Sequence, residues 1–394
     1  MIDVRALAES ELRTSHDLFL RALLRRPVSD ENWARTSGRL VAGRVLGAFD
    51  GGELVGTARA TANELAVPGG RVAAGAVTGV GVRADRTRRG VLRGLMRAQL
   101  DEVRQRGEPV AMLHASEAGI YERFGYGVAS RHRKVELERA RVVFRDDAPR
   151  GGQVRVLDRG AAEPLLPGIY QRCAVDRAGW IGRDEPWWSG FWQYLGDGVV
   201  VAVHTGEDGV DDGFAVYEPK HGERGTSVDV HDLKGADATA VAELWRFLLG
   251  VDLADRVVGH VRPLDEPLEW WLTDRRQCRV TEVEDDLWVR LVDVLGALRA
   301  RTYGAAEPVV VEVRDAFLPD NAGGYRIGPD GVERSTAAPQ LGLDVSALAA
   351  LYLGDQLAST LVAAGRVEVR DPAAVTAADR LFATLETPWC GTGF

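Results

Sequence analysis

A basic turn between a short apolar run and an amphipathic segment carries the residue types best suited to chemistry. The alternation of Val80 and Val82 predicts a strand, and the apolar spacing over 92–103 predicts a helix. Gly90 lets the backbone of the turn approach a ligand closely, and the first free N–H groups of a helix attract an anion. Four arginines add guanidinium groups that match phosphate oxygens: Arg86, Arg88, Arg89 and Arg93. The candidate contacts to a diphosphate ligand and its attached chain are Val80, Gly81, Val82, Arg88, Arg89, Gly90, Val91, Leu92 and Arg93.

Other phosphate-binding motifs are excluded by their residues. A Walker loop ends in Gly-Lys-Ser/Thr, and none of the three lysines of the chain has that context. The dinucleotide fingerprint fails because Ala84 stands where its third glycine should be. A short diphosphate cradle is what remains, and a merely solvated basic helix start stays open as the alternative.

The segment after the predicted helix points to a family. Residues 110–116 predict a buried strand, and 117–127 a short helix and turn. A strand, an Arg-Arg-Gly turn, a helix, a strand and then Tyr-x-x-Phe-Gly-Tyr at 121–126 resemble the GCN5-related N-acetyltransferases. Leu-His-Ala-Ser-Glu at 113–117, followed by Gly-Ile-Tyr, resembles their Eis branch (enhanced intracellular survival). Three further segments, 179–188, 351–354 and 388–394, are similar in sequence to the Eis branch, so the resemblance extends over the whole chain.

The resemblance implies an α+β protein with tandem GCN5-related acetyltransferase domains and a C-terminal sterol-carrier-like domain. It implies acetyl-CoA as co-substrate, with Ser116 and Glu117 added to the cradle residues as cofactor contacts, and it implies a homo-oligomer, a hexamer. Tyr121 matches the general acid of the family, and the α-carboxylate of Phe394 matches the terminal carboxylate that acts as base. Acetyl transfer is then direct, with no acyl-enzyme. Thr87 and Leu92 depart from the general family pattern, and the Eis branch tolerates the leucine.

The residues themselves support part of this assignment. A tyrosine has an unperturbed pKa of about 10, so Tyr121 can donate a proton to a departing thiolate at neutral pH. A core tyrosine bonded to backbone is the alternative. Tyr126 occupies a packing position, and His114 is expected to be structural or supporting. The tail 387–394 is apolar, aromatic and flexible at its glycines, which is typical of a segment that docks in a cleft.

Length and composition bound the class of protein. A chain of 394 residues predicts two or three domains, and 45% hydrophobic residues suffice for a sizeable core. No signal-like start and no run of about 20 apolar residues is present, so we expect a soluble, cytoplasmic protein without membrane contact. The formal charge of −9 opposes nucleic-acid binding and favours cationic partners. Three scattered cysteines and seven unpaired histidines predict reduced core thiols and no metal site.

Three domains are predicted: a catalytic domain at 1–145, a degenerate acetyltransferase-like domain at 151–285, and a sterol-carrier-like domain at 286–394 that sends its C-terminus into the active site. A strand at 133–137 is expected to close the first domain, and one at 287–292 to open the third. In the second domain the turn at 234–238 holds an aspartate and no arginine, so it should not bind pyrophosphate. The third domain is expected to be a scaffold, with a lipid-carrier role left open.

The acceptor is predicted from charge and from the resemblance together. An acidic chain with a carboxylate at its reaction centre favours a polyamine, and the resemblance implies aminoglycosides or peptidyl lysine. Trp33 could line the acceptor pocket, with Asp30 or Glu31 supplying charge. Two alternatives stay open: an acetyltransferase for protein lysines or N-termini, and a non-catalytic CoA- or lipid-binding module.

Overall fold

The computed structural model describes residues 2–173, 177–223 and 225–394. The chain divides into two compact units, the first comprising the described residues of Met1–Ser130, Ala178–Ser189 and Asp286–Phe394, and the second those of Arg131–Arg177 and Gly190–Asp285. The strands are β1 (Asp3–Ala6), β2 (Val45–Asp50), β3 (Glu53–Val67), β4 (Gly70–Val82), β5 (Val110–Leu113), β6 (Gly127–Val128), β7 (Arg131–Glu138), β8 (Gln153–Leu157), β9 (Val200–Thr205), β10 (Asp211–Gly222), β11 (Gly225–Gly235), β12 (Arg256–Arg262), β13 (Arg279–Asp285), β14 (Trp288–Leu291), β15 (Val309–Arg314), β16 (Gly323–Gly328), β17 (Gly331–Ser335), β18 (Leu341–Asp344) and β19 (Val367–Val369).

The helices are mostly short and amphipathic. In the part of the chain that is described, none is long and apolar enough to cross a membrane. They are α1 (Leu12–Ala22), α2 (Asp30–Ser37), α3 (Val91–Gln105), α4 (Ala118–Tyr121), α5 (Arg159–Ala162), α6 (Leu166–Cys173), α7 (Glu185–Leu195), α8 (Ala238–Gly250), α9 (Val294–Arg299), α10 (Val345–Tyr352), α11 (Ala358–Ala363) and α12 (Ala373–Phe382).

The first sheet has the order β1-β2-β3-β4-β5-β14-β6, with β4 and β5 parallel. Helix α3 packs on it through one apolar stripe that includes Leu95, Met96 and Leu100, all fully buried. The helix ends at Gln105, and Gly107 follows its cap residue with a φ of +74°, which suits a residue without a side chain. The predicted strand, turn and helix at 80–107 are therefore present.

Strand β14 is the least local member of this sheet. It lies between β5 and β6, and pairs antiparallel with both, Trp288 opposite Leu113 and Val128. The strand predicted at 287–292 to open the third domain therefore completes the first sheet. Local periodicity indicates that a segment is a strand, but it does not specify the partner strand.

The second sheet lies wholly in the second unit and has the order β13-β7-β12-β11-β10-β9-β8. Strand β7 pairs with β12 and β13 there, so the strand predicted at 133–137 as the last of the first domain was wrongly placed. Its alternating buried residues, Val135 and Leu137, pack into the core of this unit beside Trp245 of α8. A two-residue gap after β6 is enough for the chain to change sheets.

The third sheet has the order β17-β16-β15-β18-β19 and supports α10, all of whose residues are buried. Its core is continuous with the apolar cluster behind β4, β5 and β14 in the first unit. Arg290 of β14 joins the two parts through a buried ion pair with Asp315, 2.6 Å long. The α+β class predicted from the sequence is confirmed by these three mixed sheets.

The long hairpin of β3 and β4 carries an irregularity at its end. Thr57 pairs with Gly81 and Arg59 with Thr78, so Gly79 and Val80 together face the single residue Ala58. This is a β-bulge in β4, and Gly79 takes a φ of +63° within it. Beyond Ala76 no pairing between β4 and β5 is present among the described residues, so the two parallel strands separate there.

Candidate active site

The N-terminus of α3 has the features of an anion site. Gly90 stands at its N-cap with a φ of +83°, and no side chain caps the free N–H groups of the first turn. By contrast, Asp237 caps α8 in the second sheet's unit by accepting the N–H of Ala240 at 2.9 Å. The positive end of α3 is therefore open to an external anion, whereas that of α8 already holds a carboxylate.

Three of the four arginines of the turn remain available to a ligand. Arg88, Arg89 and Arg93 are exposed, and no described carboxylate pairs with them. Arg88 takes a φ of +62°, a left-handed conformation that curls the loop ahead of the helix. Arg86 is paired within the loop, because its Nη1 lies 2.7 Å from Oδ2 of Asp85, and its contact with phosphate stays a prediction. Intraloop ion pairing is not visible in a pattern of basic residues.

The open edge of β4 lies next to this turn. Val80 and Val82 are partly exposed, whereas Gly81 and Val91 are buried and Leu92 packs at the margin of the core. Because β5 has diverged, the backbone groups of β4 on that side are available to an extended ligand, which could add to the sheet as a strand does. The predicted cradle residues are thus together, at one end of α3 and along one edge.

Ser116 and Glu117 follow β5 and are exposed. Glu117 is the residue before α4, whose last residue is Tyr121. The Tyr121 ring is buried against the core of the first sheet, and its hydroxyl makes no hydrogen bond to a described residue. Burial, and secondly the negative charge of Glu117, raise the pKa of Tyr121 above its usual value. The phenol is therefore protonated at neutral pH and has its proton to give.

The C-terminal tail is anchored by a buried carboxylate that the sequence did not single out. Oδ2 of Asp286 accepts the backbone N–H groups of Cys390 at 2.9 Å and Gly391 at 3.1 Å. The hydroxyl of Ser130 donates to the same oxygen at 3.3 Å. Asp286 is 4% exposed, so these bonds are shielded from water.

A second set of contacts comes from the segment before α7. Arg183 donates to the hydroxyl of Thr392 at 2.9 Å and to the carbonyl of Gly391, and the indole N–H of Trp187 donates to the carbonyl of Gly393 at 2.7 Å. At Gly179 the tail passes so close that an added Cβ would lie 2.9 Å from the backbone of Trp389. Glycine is required there.

These anchors bring Phe394 to the open edge of β4. Its terminal oxygen accepts a hydrogen bond from the hydroxyl of Thr78 at 3.2 Å. The ring of Phe394 packs edge-on against that of His114 with centroids 4.9 Å apart, and Nε2 of His114 lies 3.0 Å from the carbonyl of Thr392. Phe394 is therefore held beside β4, next to the edge that β5 leaves unpaired.

Tyr126 differs from Tyr121 in the burial of its hydroxyl. It is fully buried, its hydroxyl is enclosed without a partner among the described residues, and burial raises its pKa strongly. The packing role predicted for it agrees with this environment.

His114, Asp286 and Cys390 offer one potential metal-ligand atom each within 4.8 Å of one another. The sequence could not bring these three together, because they come from β5, the strand before β14 and the tail. The hydrogen bonds above occupy Oδ2 of Asp286 and Nε2 of His114 with the tail, which accounts for both residues. All three cysteines of the chain, Cys173, Cys278 and Cys390, are buried, and none forms a disulfide bond.

The residues that sequence reasoning missed are Thr78, Asp286, Arg183, Trp187 and Arg59. Each of them is recognised only from its contacts in the folded chain. Only Arg183 and Trp187 stand within a segment, 183–188, whose sequence resembled the Eis branch. Trp33, which the sequence suggested for the acceptor pocket, packs beside α1 with its ring 5.9 Å from that of His16, and its role in acceptor binding stays a prediction. Asp30 is exposed and pairs with Arg13.

Comparisons with known proteins match all three regions. Two acetyltransferase (GNAT) domain models match residues 3–129 and 179–291, and a sterol carrier protein domain model matches 294–391. An uncharacterized N-acetyltransferase of Streptomyces avermitilis is 38% identical over all of this chain and 99% of its own. N-acetyltransferase Eis of Mycobacterium tuberculosis is 34% identical over 86% of this chain and 85% of its own. The crystal structure of Eis1 from Mycobacterium abscessus superposes with a TM-score of 0.91 at 36% identity, covering both chains completely.

Proposed function

Because this chain belongs to the Eis-type GCN5-related N-acetyltransferases, we propose that it transfers the acetyl group of acetyl-CoA directly to an amine, with Tyr121 as general acid and the α-carboxylate of Phe394 as general base. The proposal takes Phe394 as the last residue of the mature chain. It assigns the reaction to the first unit and the diphosphate of CoA to the N-terminus of α3.

The roles follow from the bonds that must change. The amine nitrogen attacks the thioester carbonyl, a C–N bond forms and the C–S bond breaks. The Phe394 carboxylate takes the proton that the amine loses, and Tyr121 gives its proton to the leaving thiolate, so the products are an amide and CoA thiol. An N–H of the β4 bulge would stabilise the developing oxyanion.

The observation that carries the proposal is the hydrogen bond between Thr78 and the terminal oxygen of Phe394. It supports the proposal because it holds Phe394 beside the strand that would bind the thioester. Holding a base in place before the substrate arrives is worth several kcal/mol of the barrier. The tail is held in this position by contacts with four residues: Asp286, Arg183, Trp187 and His114.

The cofactor assignment rests on the structure and charge of the turn before α3 rather than on a match to a sequence motif. The uncapped start of α3, the left-handed Arg88 and Gly90, and three unpaired arginines all suit a diphosphate. The matching turn of the second acetyltransferase domain is closed by its own aspartate, Asp237. One cofactor site per chain is therefore proposed, with the 151–285 domain and the sterol-carrier-like domain as scaffold in a homo-oligomer, a hexamer.

The acceptor panel begins with the class predicted from the sequence. The first group of acceptors to be assayed consists of aminoglycosides and other polyamines, and the second is a lysine-bearing peptide. A CoA-release assay with a thiol reagent would compare the unchanged protein, Tyr121→Phe and a chain lacking Phe394. We expect turnover in the unchanged protein and losses of about a hundredfold or more in each variant.

The outcomes separate the parts of the proposal. Activity that survives deletion of Phe394 would remove the carboxylate from the mechanism and leave the acid in place. Retained CoA affinity with no turnover on any amine would select the non-catalytic reading. A peptide outcompeting every small amine would select the protein acetyltransferase.

A further inference from the structure

Arg59 lies on β3 directly opposite Thr78, the residue that contacts Phe394. Side chains of a cross-strand pair project to the same face of a sheet. Thr57, two residues earlier and on that same face, bonds to Ser15 of α1 through their hydroxyls at 2.6 Å. Arg59 therefore projects toward α1, beside the bulge of β4 and Phe394, and in the proposed mechanism the acceptor amine enters next to Phe394.

Two of the three nitrogen atoms of the Arg59 guanidinium group have no partner among the described residues. Its Nε and Nη1 atoms are buried, and no described residue accepts a hydrogen bond from them. No described carboxylate, that of Phe394 included, lies within 4.0 Å of it. The side chain crosses the bulge at Gly79, where an added Cβ would be 3.1 Å from Nε. Burying a cationic group without an acceptor is costly, so these two nitrogen atoms require an explanation.

Arg59 keeps its positive charge among these neighbours, while His16 is neutral. Burial, and secondly Arg39, lower the pKa of Arg59 to about 10, so it stays charged at neutral pH. Burial, and next the charge of Arg59, lower the pKa of His16 to about 4, so that imidazole is neutral. Asp17 acts on His16 but is not among the groups that perturb Arg59. A polycation would meet an unshielded guanidinium here.

We propose that Arg59 binds a carboxylate of the acceptor, so that the substrate class is a small amine that also carries a carboxylate. This inference rests on the proposed function and narrows its acceptor. Guanidinium and carboxylate pair through two parallel hydrogen bonds, which would satisfy Nε or Nη1 and orient the amine toward Phe394.

The test compares amino acids with the amines that they become on loss of the carboxylate. Lysine is paired with cadaverine and phenylalanine with phenethylamine, and kcat/KM is measured by CoA release. We expect a preference of about tenfold to a hundredfold for each amino acid, since a hydrogen-bonded charge pair contributes about 1.5–3 kcal/mol. Arg59→Leu should abolish this preference, and Arg59→Lys should restore part of it.

The matched control is Arg71→Leu on β4 of the same hairpin. Arg71 is half exposed and lies 3.6 Å from Glu64 at the surface, so its loss should leave the preference intact. If Arg59 served instead as a counter-charge for Phe394, Arg59→Leu would lower activity on both members of each pair equally and shift the pH profile. That result would overturn the inference.

The remaining outcomes distinguish this inference from the proposed function. Efficient turnover of aminoglycosides or of the decarboxylated amines, without a carboxylate preference, would overturn the inference and leave the acetyltransferase mechanism standing. With no turnover on any amine, calorimetry in the presence of CoA would compare N-acetylphenylalanine with N-acetylphenethylamine. Tighter binding of the former that is lost in Arg59→Leu would support the anion site, and equal binding would overturn it.

Discussion

Tyr121 and Tyr126 lie five residues apart with ring centroids separated by 5.9 Å, yet their hydroxyls meet different surroundings. The hydroxyl of Tyr126 is enclosed in the core, and no described residue bonds to it. The hydroxyl of Tyr121 also bonds to no described residue, but it is not enclosed. A hydroxyl must reach the thiolate to act on it, so exposure at the oxygen atom distinguishes the two residues better than sequence position does.

This difference gives a matched pair of substitutions. Tyr121→Phe should lower kcat about a hundredfold or more, because the general acid is lost. Tyr126→Phe should preserve kcat and raise the free energy of unfolding by about 1 kcal/mol, because it removes a buried polar atom that lacks a partner. Steady-state kinetics and thermal melting of both proteins check this, and equal activity losses would contradict the assignment.

At the scale of elements, α3 is the unit that the sequence describes best. Its stripe of apolar residues, its glycine-bounded ends and the strand before it are all local patterns, and all are present. The bulge of β4, the insertion of β14 and the carboxylate that anchors the tail are not local. Arg59 and Thr78, for example, become neighbours only through the register of a long hairpin, and Asp286 meets Cys390 across more than a hundred residues of chain.

The two ends of α3 offer an internal comparison. Gly90 and Gly107 both have positive φ, and an added Cβ would meet nothing at either position. Alanine at either site should cost about 1–2 kcal/mol of stability through left-handed strain. Only Gly90→Ala should also raise KM for acetyl-CoA, because only that end receives the diphosphate. Chemical denaturation and acetyl-CoA titration measure the two effects separately, and equal KM changes would remove the cradle from α3.

The tail is the element whose position depends most on a single side chain. Asp286→Ala would leave two buried backbone N–H groups without an acceptor, a loss of about 1–3 kcal/mol each. We expect faster proteolysis of residues 387–394 and at least a tenfold lower kcat. In a chain already lacking Phe394 the same substitution should lower kcat no further, since the tail would have nothing left to place.

At the scale of the whole molecule, the first sheet is not the product of a contiguous stretch of chain. Residues 1–145, the predicted catalytic domain, contain β5 and β6 but lack β14 between them. Expressed alone, this fragment should not unfold cooperatively, because two strand edges and the apolar face covered by β14 would be open. A chain joining residues 2–130 to 286–394 should recover a cooperative transition in calorimetry. A sharp transition in the shorter fragment would show that β14 is dispensable.

The position of β14 also determines the order in which the two sheets can fold during translation. On the ribosome β5 and β6 emerge long before β14, and the whole second sheet is translated in between. At elongation rates of about 5–20 residues per second, the first sheet waits for many seconds with the gap between β5 and β6 unfilled. We therefore expect nascent chains arrested within the second sheet to bind chaperones through β5 and β6, so that the second sheet, although encoded later in the chain, completes its folding first.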